Sequence, residues 1–389
     1  MRLIDRYLLR EFLFWLAVFF GAFLLIWITF DLSFELHKLQ QFHLRGKDIV
    51  KYYIFEIPEF IPIALPVSLL LALLYSLTNH ARHNEVTAIR AAGISLGRLC
   101  LPYVMAGLFF SAALFAFDEF CAPKAADKAD QILRSRVEKR DADPEPYLVP
   151  SFKFINSGTG GGRRWVAVVY NLKTFEMTKP QVIWAETNGG PWTWLTADSA
   201  VWTNGAWLFS GEVIENRGTT RNQKTSGFAV PEFLETTRIL KTNELVMPEF
   251  SETPREIQSD VKVNAFRGIN SKTHRADIPL ADIVNYLKLH PHPDRKIRNW
   301  LYTKLHGRFA SPFACLVVII VAIPFSAKSG RRNIFVGVAA SIFIFFAYFV
   351  LQQIGLTFGE TGWLPPWLGA WFPNLFFGVG GLFLMARVR

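Results

Sequence analysis

Cysteine and charged residues are scarce in this sequence. The chain of 389 residues has three cysteines, and Cys100, Cys121 and Cys315 follow no spacing typical of a disulfide framework or a metal site. Charged residues make up 19% of the chain and hydrophobic residues 51%, with a mean hydropathy of +0.22. This composition excludes an ordinary soluble protein, so membrane-spanning segments are the first structures to look for.

Motifs for catalysis, nucleotide binding and metal binding are also lacking. The stretch SGTGGG at 157–162 is not followed by Gly-Lys-Ser/Thr and lies between strand-like runs, so it does not predict a phosphate-binding loop. His290 and His292 flank a proline, which favours a solvated loop over a metal site. We therefore predict that this chain is not an enzyme and binds no metal or cofactor of its own. We predict no nucleic-acid partner either.

Six long uncharged runs dominate what the sequence does contain. Each has the roughly 18 residues or more that a helix needs to cross a bilayer, and all are too long and too apolar for barrel strands. They predict a membrane α-helical protein with six transmembrane helices. No Asp, Glu, Lys, Arg or His lies inside them, which disfavours an ion-coupled secondary transporter. The runs are 12–30, 60–78, 99–117, 309–327, 333–358 and 361–386.

Basic residues cluster at four sites that six spans place on one side of the membrane. Lys and Arg are enriched in cytoplasmic loops. We therefore predict that both termini are cytoplasmic and that residues 121–306 lie outside the cytoplasm. The basic residues are Arg2, Arg6, Arg10, Arg82, Arg90, Arg98, Lys328, Arg331, Arg332, Arg387 and Arg389.

Residues 31–57 fit this orientation poorly, because they should lie outside and yet carry Lys38, Arg45, Lys47 and Lys51. In one interpretation these side chains snorkel at the interface, balanced by nearby acidic residues. In the other they contact anionic lipid headgroups. The residues alone favour the first interpretation.

The segment between the third and fourth runs changes to a strand pattern. Short runs alternate Val, Trp, Phe and Thr with polar residues, and Asn204-Gly205 is a strong hairpin signal. These features predict an inserted all-β domain, a single sandwich or jelly roll, whose tryptophans fill the core rather than line an acyl-chain groove. A helical extension of the third span should precede the strands. After them we expect a polar loop at 254–275 and a short helix ending at Pro291.

The polar segment between the second and third runs has a helical period, which predicts a short amphipathic helix at 83–97. Asn79 or Asn84 can cap it, Glu85 suits the positive end of its dipole, and Gly93 suits its end. Its apolar stripe can lie on lipid headgroups or dock in a groove of another protein. The stripe comprises Val86, Ile89, Ala92 or Gly93, and Leu96.

Several stretches together resemble the LptF/LptG (YjgP/YjgQ) family of lipopolysaccharide-export permeases. The most specific are NEVTAIRAAGIS, between the second and third spans, and HGRFASPFACLVVIIVAIPFS, which opens the fourth. LIDRYLLREF, PIALPVSLLLALLYSL and FDEFCAPKA also agree. The order of three spans, a β-domain and three spans is the family's plan as well, so the resemblance covers nearly the whole chain.

The resemblance implies the permease subunit of an ABC transporter in the cell inner membrane. Such a subunit pairs with a second LptF/LptG-type permease and is driven by a cytoplasmic dimer of LptB-like ATPases. It extracts lipopolysaccharide and passes it through periplasmic jelly-roll domains to LptC- and LptA-like proteins. ATP is used by the partner, which fits the lack of a nucleotide motif in this chain.

The resemblance also implies roles for particular residues. The helix at 83–97 corresponds to the coupling helix that sits on the ATPase, with Glu85, Val86, Ile89, Arg90 and Gly93 at its surface. Basic residues near the outer ends of the first and third spans become candidates for contact with lipid phosphates. The family's upstream basic position is Asp31 in this sequence. The candidates for headgroup contact are Lys38, Arg45, Lys128, Arg134 and Arg136.

These expectations divide the chain into three parts. Residues 1–125 contain the first three spans and the coupling helix. Residues 126–305 contain the periplasmic domain and its helical connectors, and residues 306–389 contain the last three spans. The alternative function is a mechanotransmitting or scaffold protein that acts on a periplasmic partner without moving lipid. A large apolar chamber opening sideways would distinguish lipid export from this alternative.

Overall fold

The computed structural model describes residues 3–41, 46–137, 147–156, 162–185, 192–220, 233–267, 278–327 and 334–387. Two compact units emerge. The first contains residues 1–137, 272–280 and 296–389, and the second contains residues 138–271 and 281–295.

The first unit is helical. Its helices are α1 (Leu3–Gln41), α2 (Gly46–Arg82), α3 (Glu85–Ala91), α4 (Leu96–Phe120) and α5 (Ala122–Val137), followed later in the chain by α8 (Arg295–Ala310), α9 (Ala314–Ala327), α10 (Ile334–Thr361) and α11 (Pro366–Arg387). Among the described residues, six segments are long and apolar enough to cross a membrane. The prediction of a multi-pass membrane protein with six helical spans is therefore confirmed.

The fourth span is divided into α8 and α9. A 3-10 turn at Ser311–Phe313 separates the two helices and contains the buried Pro312. Proline cannot donate the backbone hydrogen bond that a continuous helix needs, which accounts for the break. The span also begins earlier than the uncharged run at 309–327, so that it includes Lys304 and Arg308.

The core of this unit lies between α2 and α9. Leu69, Leu70 and Leu73 of α2 are fully buried, as are Ile319 and Ala322 of α9. Neither helix has a polar face along this contact, because both are covered by other helices of the unit. The second and fourth spans thus form the centre of the helical unit, and the remaining spans pack around them.

The second unit contains an eight-stranded antiparallel sheet. The long strands β2 and β7 each pair along one edge with two short strands, β2 with β3 and β4, and β7 with β5 and β6. The sheet is not a simple meander, because β2 also pairs with β4, β3 with β6 and β5 with β7. The strands are β1 (Leu148–Asn156), β2 (Arg163–Asn171), β3 (Glu176–Thr178), β4 (Gln181–Ala185), β5 (Trp192–Thr196), β6 (Ser199–Thr203), β7 (Ala206–Thr220) and β8 (Phe233–Met247).

The turn between β6 and β7 is the predicted hairpin. Asn204 and Gly205 have φ angles of 50° and 82°, and Thr203 pairs with Ala206 directly across them. Both central residues of this two-residue turn have positive φ, as its mirror-image geometry requires. The stretch 157–161, which contains most of SGTGGG, lies outside the described residues.

Aromatic side chains fill the core of the sheet. Trp165 and Trp207 are fully buried with ring centroids 5.2 Å apart, and Phe209 and Phe250 pack against Trp165. Aromatic rings bury large apolar areas, so this cluster supplies much of the stability of the unit. The prediction that tryptophans form the core is confirmed for Trp165 and Trp207.

The expectation of a polar loop at 254–275 is wrong in part. The segment predicted as a loop at 254–275 begins as a helix, α6 (Pro254–Arg267), which buries Ile257 and Val263. Its buried residues are Pro254, Ile257, Ser259, Asp260 and Val263. Two of these five are polar, so the apolar period was too sparse to recognise. Residues 268–277 lie outside the described residues. The helix α7 (Leu280–Leu289) follows, in the place predicted for a short helix.

The boundaries of the compact units also differ from those predicted. The predicted domain begins at residue 126 and ends at 305, whereas α5 and nearly all of α8 belong to the helical unit. Ala129 of α5 packs in a cluster with Tyr52 and Tyr53 of α2. This apolar contact attaches the polar helix α5 to the spans, although its composition resembles that of a connector.

Candidate functional site

The short helix α3 connects the second and third spans. It runs from Glu85 to Ala91, and Gly93, with φ of 82°, ends it because glycine adopts this left-handed conformation without strain. Ser95 then caps α4, accepting a hydrogen bond from the Arg98 backbone N–H. The helix predicted at 83–97 is therefore present but shorter. Asn84 is not the expected cap, because its φ is 59° and its side chain makes no cap hydrogen bond.

The first two residues of the predicted apolar stripe face the helical unit itself, whereas Ala92 and Gly93 are exposed. Val86 and Ile89 are half-buried and pack against the core of the spans. Thr87, Ala88 and Arg90 are exposed on the other side. The stripe thus anchors α3 to its own chain, while a small polar face is left open.

Glu85, at the start of α3, lies in a network of polar side chains. Its carboxylate oxygen lies 2.7 Å from His80 Nδ1, and the Tyr7 hydroxyl donates to both carboxylate oxygens at 3.3 and 3.4 Å. His80 is only 1% exposed, and its Nε2 lies 3.3 Å from a carboxylate oxygen of Glu11. Asn79 Nδ2 donates to the other Glu11 oxygen at 3.0 Å. The network joins α1, the end of α2, and α3.

A second polar contact joins the same end of α1 to α4. Arg98 Nη2 lies 3.0 Å from Asp5 Oδ2, and Asp5 is buried. Four residues of these contacts were not predicted from the sequence as members of a site, namely His80, Tyr7, Glu11 and Asp5. One available signal was the spacing of four residues between Tyr7 and Glu11, which places both on one face of a helix.

The structure describes the side chain of only one of the five candidate headgroup residues. Lys128 of α5 is exposed, and its Nζ lies 5.2 Å from the centre of the Phe55 ring. Lys38, Arg134 and Arg136 belong to the helices α1 and α5, but their side chains are outside the part of the chain that the structure describes, as is all of Arg45. Whether the five residues form one site therefore stays a prediction.

Three carboxylates converge near the Lys38 end of α1. Asp31, Glu35 and Glu56 each offer an oxygen within 4.8 Å of the others. Tyr53 donates to Asp31 at 3.1 Å and Tyr52 donates to Glu56 at 2.8 Å. Within the described residues, this is the group whose geometry suits a metal ion, and its oxygen ligands are of the kind that Ca²⁺ and Mg²⁺ prefer. Asp31 thus belongs to an acidic group.

A cavity of about 390 Å³ lies among α2, α8, α9 and α10. Apolar residues such as Ile63 and Phe349 share its lining with Glu59, Lys304 and Arg308. This volume is typical of a small-molecule site and is too small for a lipid with many acyl chains. The apolar chamber expected for lipid export thus does not correspond to this cavity within a single chain.

The chain that forms these spans, the short helix and the sheet is similar to a known protein family. The sequence profile described as "Lipopolysaccharide export system permease LptF/LptG" matches residues 6–387. No curated protein matches the chain. The matched range covers all six spans, the short helix α3 and the sheet. The chain therefore belongs to the LptF/LptG family of lipopolysaccharide export permeases.

Proposed function

We propose that this chain is the permease subunit of an ABC transporter that extracts lipopolysaccharide from the inner membrane. A separate cytoplasmic dimer of LptB-like ATPases drives it, and the lipid passes to LptC- and LptA-like proteins of a periplasmic bridge. Family membership supports the role in lipopolysaccharide export. The sequence supports the separate ATPase, because it has no phosphate-binding loop of its own.

The coupling role is supported by one observation: α3 packs against the spans on one side and is exposed on the other. Val86 and Ile89 attach it to the spans, while Thr87, Ala88 and Arg90 remain accessible. A partner that binds the open face can therefore move the spans without inserting into them. In this proposal Arg90 and Gly93 meet the ATPase, Val86 and Ile89 hold the helix, and Glu85 connects it to α1.

The orientation proposed here places both termini and α3 in the cytoplasm and the β-domain in the periplasm. The distribution of Lys and Arg supports this arrangement. The β-domain would then offer its sheet to the periplasmic partners as a member of a chain of jelly-roll domains. Its sheet of eight antiparallel strands is compatible with that role.

The lipid chamber is proposed to form between this chain and a second LptF/LptG-type permease. Many apolar side chains on α1, α10 and α11 are exposed in the single chain, among them Leu25, Phe343 and Val379. Such residues face either lipid or another protein in a membrane. The candidate headgroup residues Lys38, Arg45, Lys128, Arg134 and Arg136 would then lie at the rim, where cations meet phosphates.

The test is reconstitution of the chain with a second permease and LptB-like ATPase in proteoliposomes that contain lipopolysaccharide. The measurement is ATP-dependent transfer of lipid to an LptA-like acceptor, detected by photocrosslinking. We expect Ile89→Asp to reduce transfer, because a carboxylate at a half-buried position detaches α3 from the core. Ile89→Val keeps the position apolar and should retain transfer.

Two outcomes would contradict the proposal. ATP hydrolysis by the assembled complex with no lipid transfer would instead support the scaffold alternative, in which the chain acts on a periplasmic partner without moving lipid. ATP hydrolysis by the purified chain alone would refute the division of labour between permease and ATPase.

A further inference from the structure

We propose that His80 is a positioning residue that links the movement of α3 to α1. The inference rests on the proposed function, because it concerns the path by which work done on α3 reaches the spans. The residues of this path are Tyr7 and Glu11 on α1, Asn79 and His80 on α2, and Glu85 on α3. We refer to these five residues as the His80 latch.

The position of His80 makes it the centre of the latch. The side chain is 1% exposed, and its two ring nitrogens lie 2.7 Å from Glu85 and 3.3 Å from Glu11. Carboxylates only accept hydrogen bonds, a neutral imidazole has one N–H donor, and an imidazolium has two. The Nδ1–H of His80 can therefore donate to Glu85, the first residue of α3, while Nε2 lies within ion-pair distance of Glu11 on α1 without a hydrogen bond to it.

Tyr7 and Asn79 support both ends of this link. Tyr7 donates to the Glu85 carboxylate, and its ring centre lies 5.6 Å from that of His80. Asn79 donates to Glu11. Tyr7 and Glu11 are one helical turn apart on the same face of α1. α3 is therefore connected to α1 twice, directly through Tyr7 and indirectly through His80 and Glu11. A displacement of Glu85 is then resisted by directional contacts, one of them to the buried His80.

The neighbouring contacts between α1 and α2 are of a different kind. One turn deeper, Trp15 and Phe19 of α1 pack against Tyr75 of α2, with ring centres 4.1 and 5.9 Å apart. Apolar packing is non-directional and tolerates small sliding movements better than charged hydrogen bonds do. The latch therefore determines how far α1 follows α3, while the aromatic contact keeps the two helices adjacent.

A movement of α3 that is passed to α1 would also displace the apolar side of α1 that is exposed in the single chain. Phe14, Val18 and Leu25 lie on one side of α1 and are 60%, 44% and 69% exposed. This apolar face meets either lipid or a second permease. A movement of α3 that is carried through the latch therefore changes the surface at which a lipid enters or leaves the space between two permeases.

The experiment measures lipopolysaccharide transferred per ATP hydrolysed, in the proteoliposomes described above, together with the amount of ATPase bound. We expect His80→Gln to lower the transfer ratio about tenfold, a typical size for coupling between two sites, with ATPase binding unchanged. Glu11→Gln should have a similar effect. The double variant should be no worse than either single variant, because both changes break the same link.

Tyr75→Phe is the matched control, because it alters a polar atom between the same two helices and keeps the aromatic packing. It should transfer lipid at the wild-type ratio. A wild-type ratio in His80→Gln or Glu11→Gln, or effects of the two that simply add, would refute the latch and leave the proposed function intact. If the wild-type complex itself transfers no lipid, the proposed function fails instead.

Protein yield decides which variant carries the test. If His80→Gln lowers the amount of folded chain in the membrane, Glu11→Gln replaces it, because it removes one charge from a side chain that is 19% exposed and leaves the core unchanged. A reduced ratio in Glu11→Gln supports the latch, and an unchanged ratio refutes it.

Discussion

At the scale of single residues, Glu252 shows how a charge is held inside the β-domain. Its side chain is fully buried, and one carboxylate oxygen accepts hydrogen bonds from Arg163 Nε at 2.7 Å and Asn156 Nδ2 at 2.9 Å. The Arg163 guanidinium also lies 4.9 Å from the centre of the Phe250 ring. Trp207 donates to the Glu252 backbone oxygen at 2.8 Å. The segment before α6 is thereby fastened to the sheet.

Arg163→Ala should destabilise the β-domain by about 3 kcal/mol, because it leaves a carboxylate buried without its cation. The measurement is denaturant unfolding of the full chain in detergent, followed by tryptophan fluorescence, to which the buried Trp165 and Trp207 contribute. Lys241→Ala is the control. It breaks an ion pair with Glu212 in which both side chains are more than half exposed, and such pairs contribute about 0–1 kcal/mol. Equal losses in the two variants would contradict the assigned role of Glu252.

Asp260 of α6 is a second buried acid of the β-domain. Burial raises its pKa to about 6, against smaller opposing effects of the Tyr286 hydroxyl, Arg267 and Asn264. Tyr286 lies 3.3 Å and Asn264 Nδ2 lies 2.6 Å from the carboxylate oxygens. The folded state thus binds the proton more tightly than the unfolded state does.

The sign of the pH dependence follows from this raised pKa. The folded chain gains stability from protonated Asp260 below the ordinary pKa of 3.8, and this gain is lost as the pH rises through about 6. We expect unfolding experiments between pH 4 and 7 to show stability falling with pH by on the order of 2 kcal/mol more in the wild type than in Asp260→Asn. Parallel pH profiles in the two proteins would contradict the prediction.

At the scale of secondary-structure elements, α10 and α11 approach each other at two glycines. A Cβ atom on Gly355 would overlap the backbone oxygen of Gly369, and one on Gly369 would approach the backbone of Gly355 and Gly359. Small residues allow helix backbones in membranes to pack closely, so that van der Waals contact replaces the absent hydrophobic effect. Glycine at these two positions therefore allows the fifth and sixth spans to pack closely.

Gly355→Ala should separate α10 from α11 and destabilise the helical unit by about 1–3 kcal/mol, the usual cost of overpacking. The measurement is the thermal unfolding midpoint of the full chain in detergent. Gly380→Ala is the control in α11, because a Cβ there meets no atom within 4 Å, and alanine favours a helix over glycine. If Gly355→Ala were as stable as Gly380→Ala, the close approach would be refuted.

At the scale of the whole molecule, the proposed orientation places residue 160 in the periplasm and residue 330 in the cytoplasm. Single cysteines at these two positions test it, in a chain whose exposed Cys121 has been replaced by serine. A membrane-impermeant maleimide applied from the periplasmic side should label residue 160 and not residue 330. Permeabilised membranes supply the control for reactivity at both positions. The reverse labelling would overturn the orientation and the cytoplasmic role of α3 with it.

Much of the fold could be predicted from the sequence. The six spans followed from run length and composition, because lipid offers no partner for backbone polar groups and so selects long apolar helices. The hairpin at Asn204 and Gly205 followed from local backbone preference. The helix α6 was missed, although Thr253-Pro254-Arg255-Glu256 is a capping box with proline at the first helical position, and both of its hydrogen bonds form in the structure.

The candidate site could likewise be predicted only in part. By itself the sequence determined the short helix after the second span, its apolar stripe and its end at Gly93, since helical period and left-handed backbone are local properties. Only the tertiary structure decided that the stripe packs on its own spans and that His80 lies between Glu85 and Glu11. Tyr7 and Glu85 are 78 positions apart, and only packing of α1 against α2 brings such distant residues into hydrogen-bonding distance.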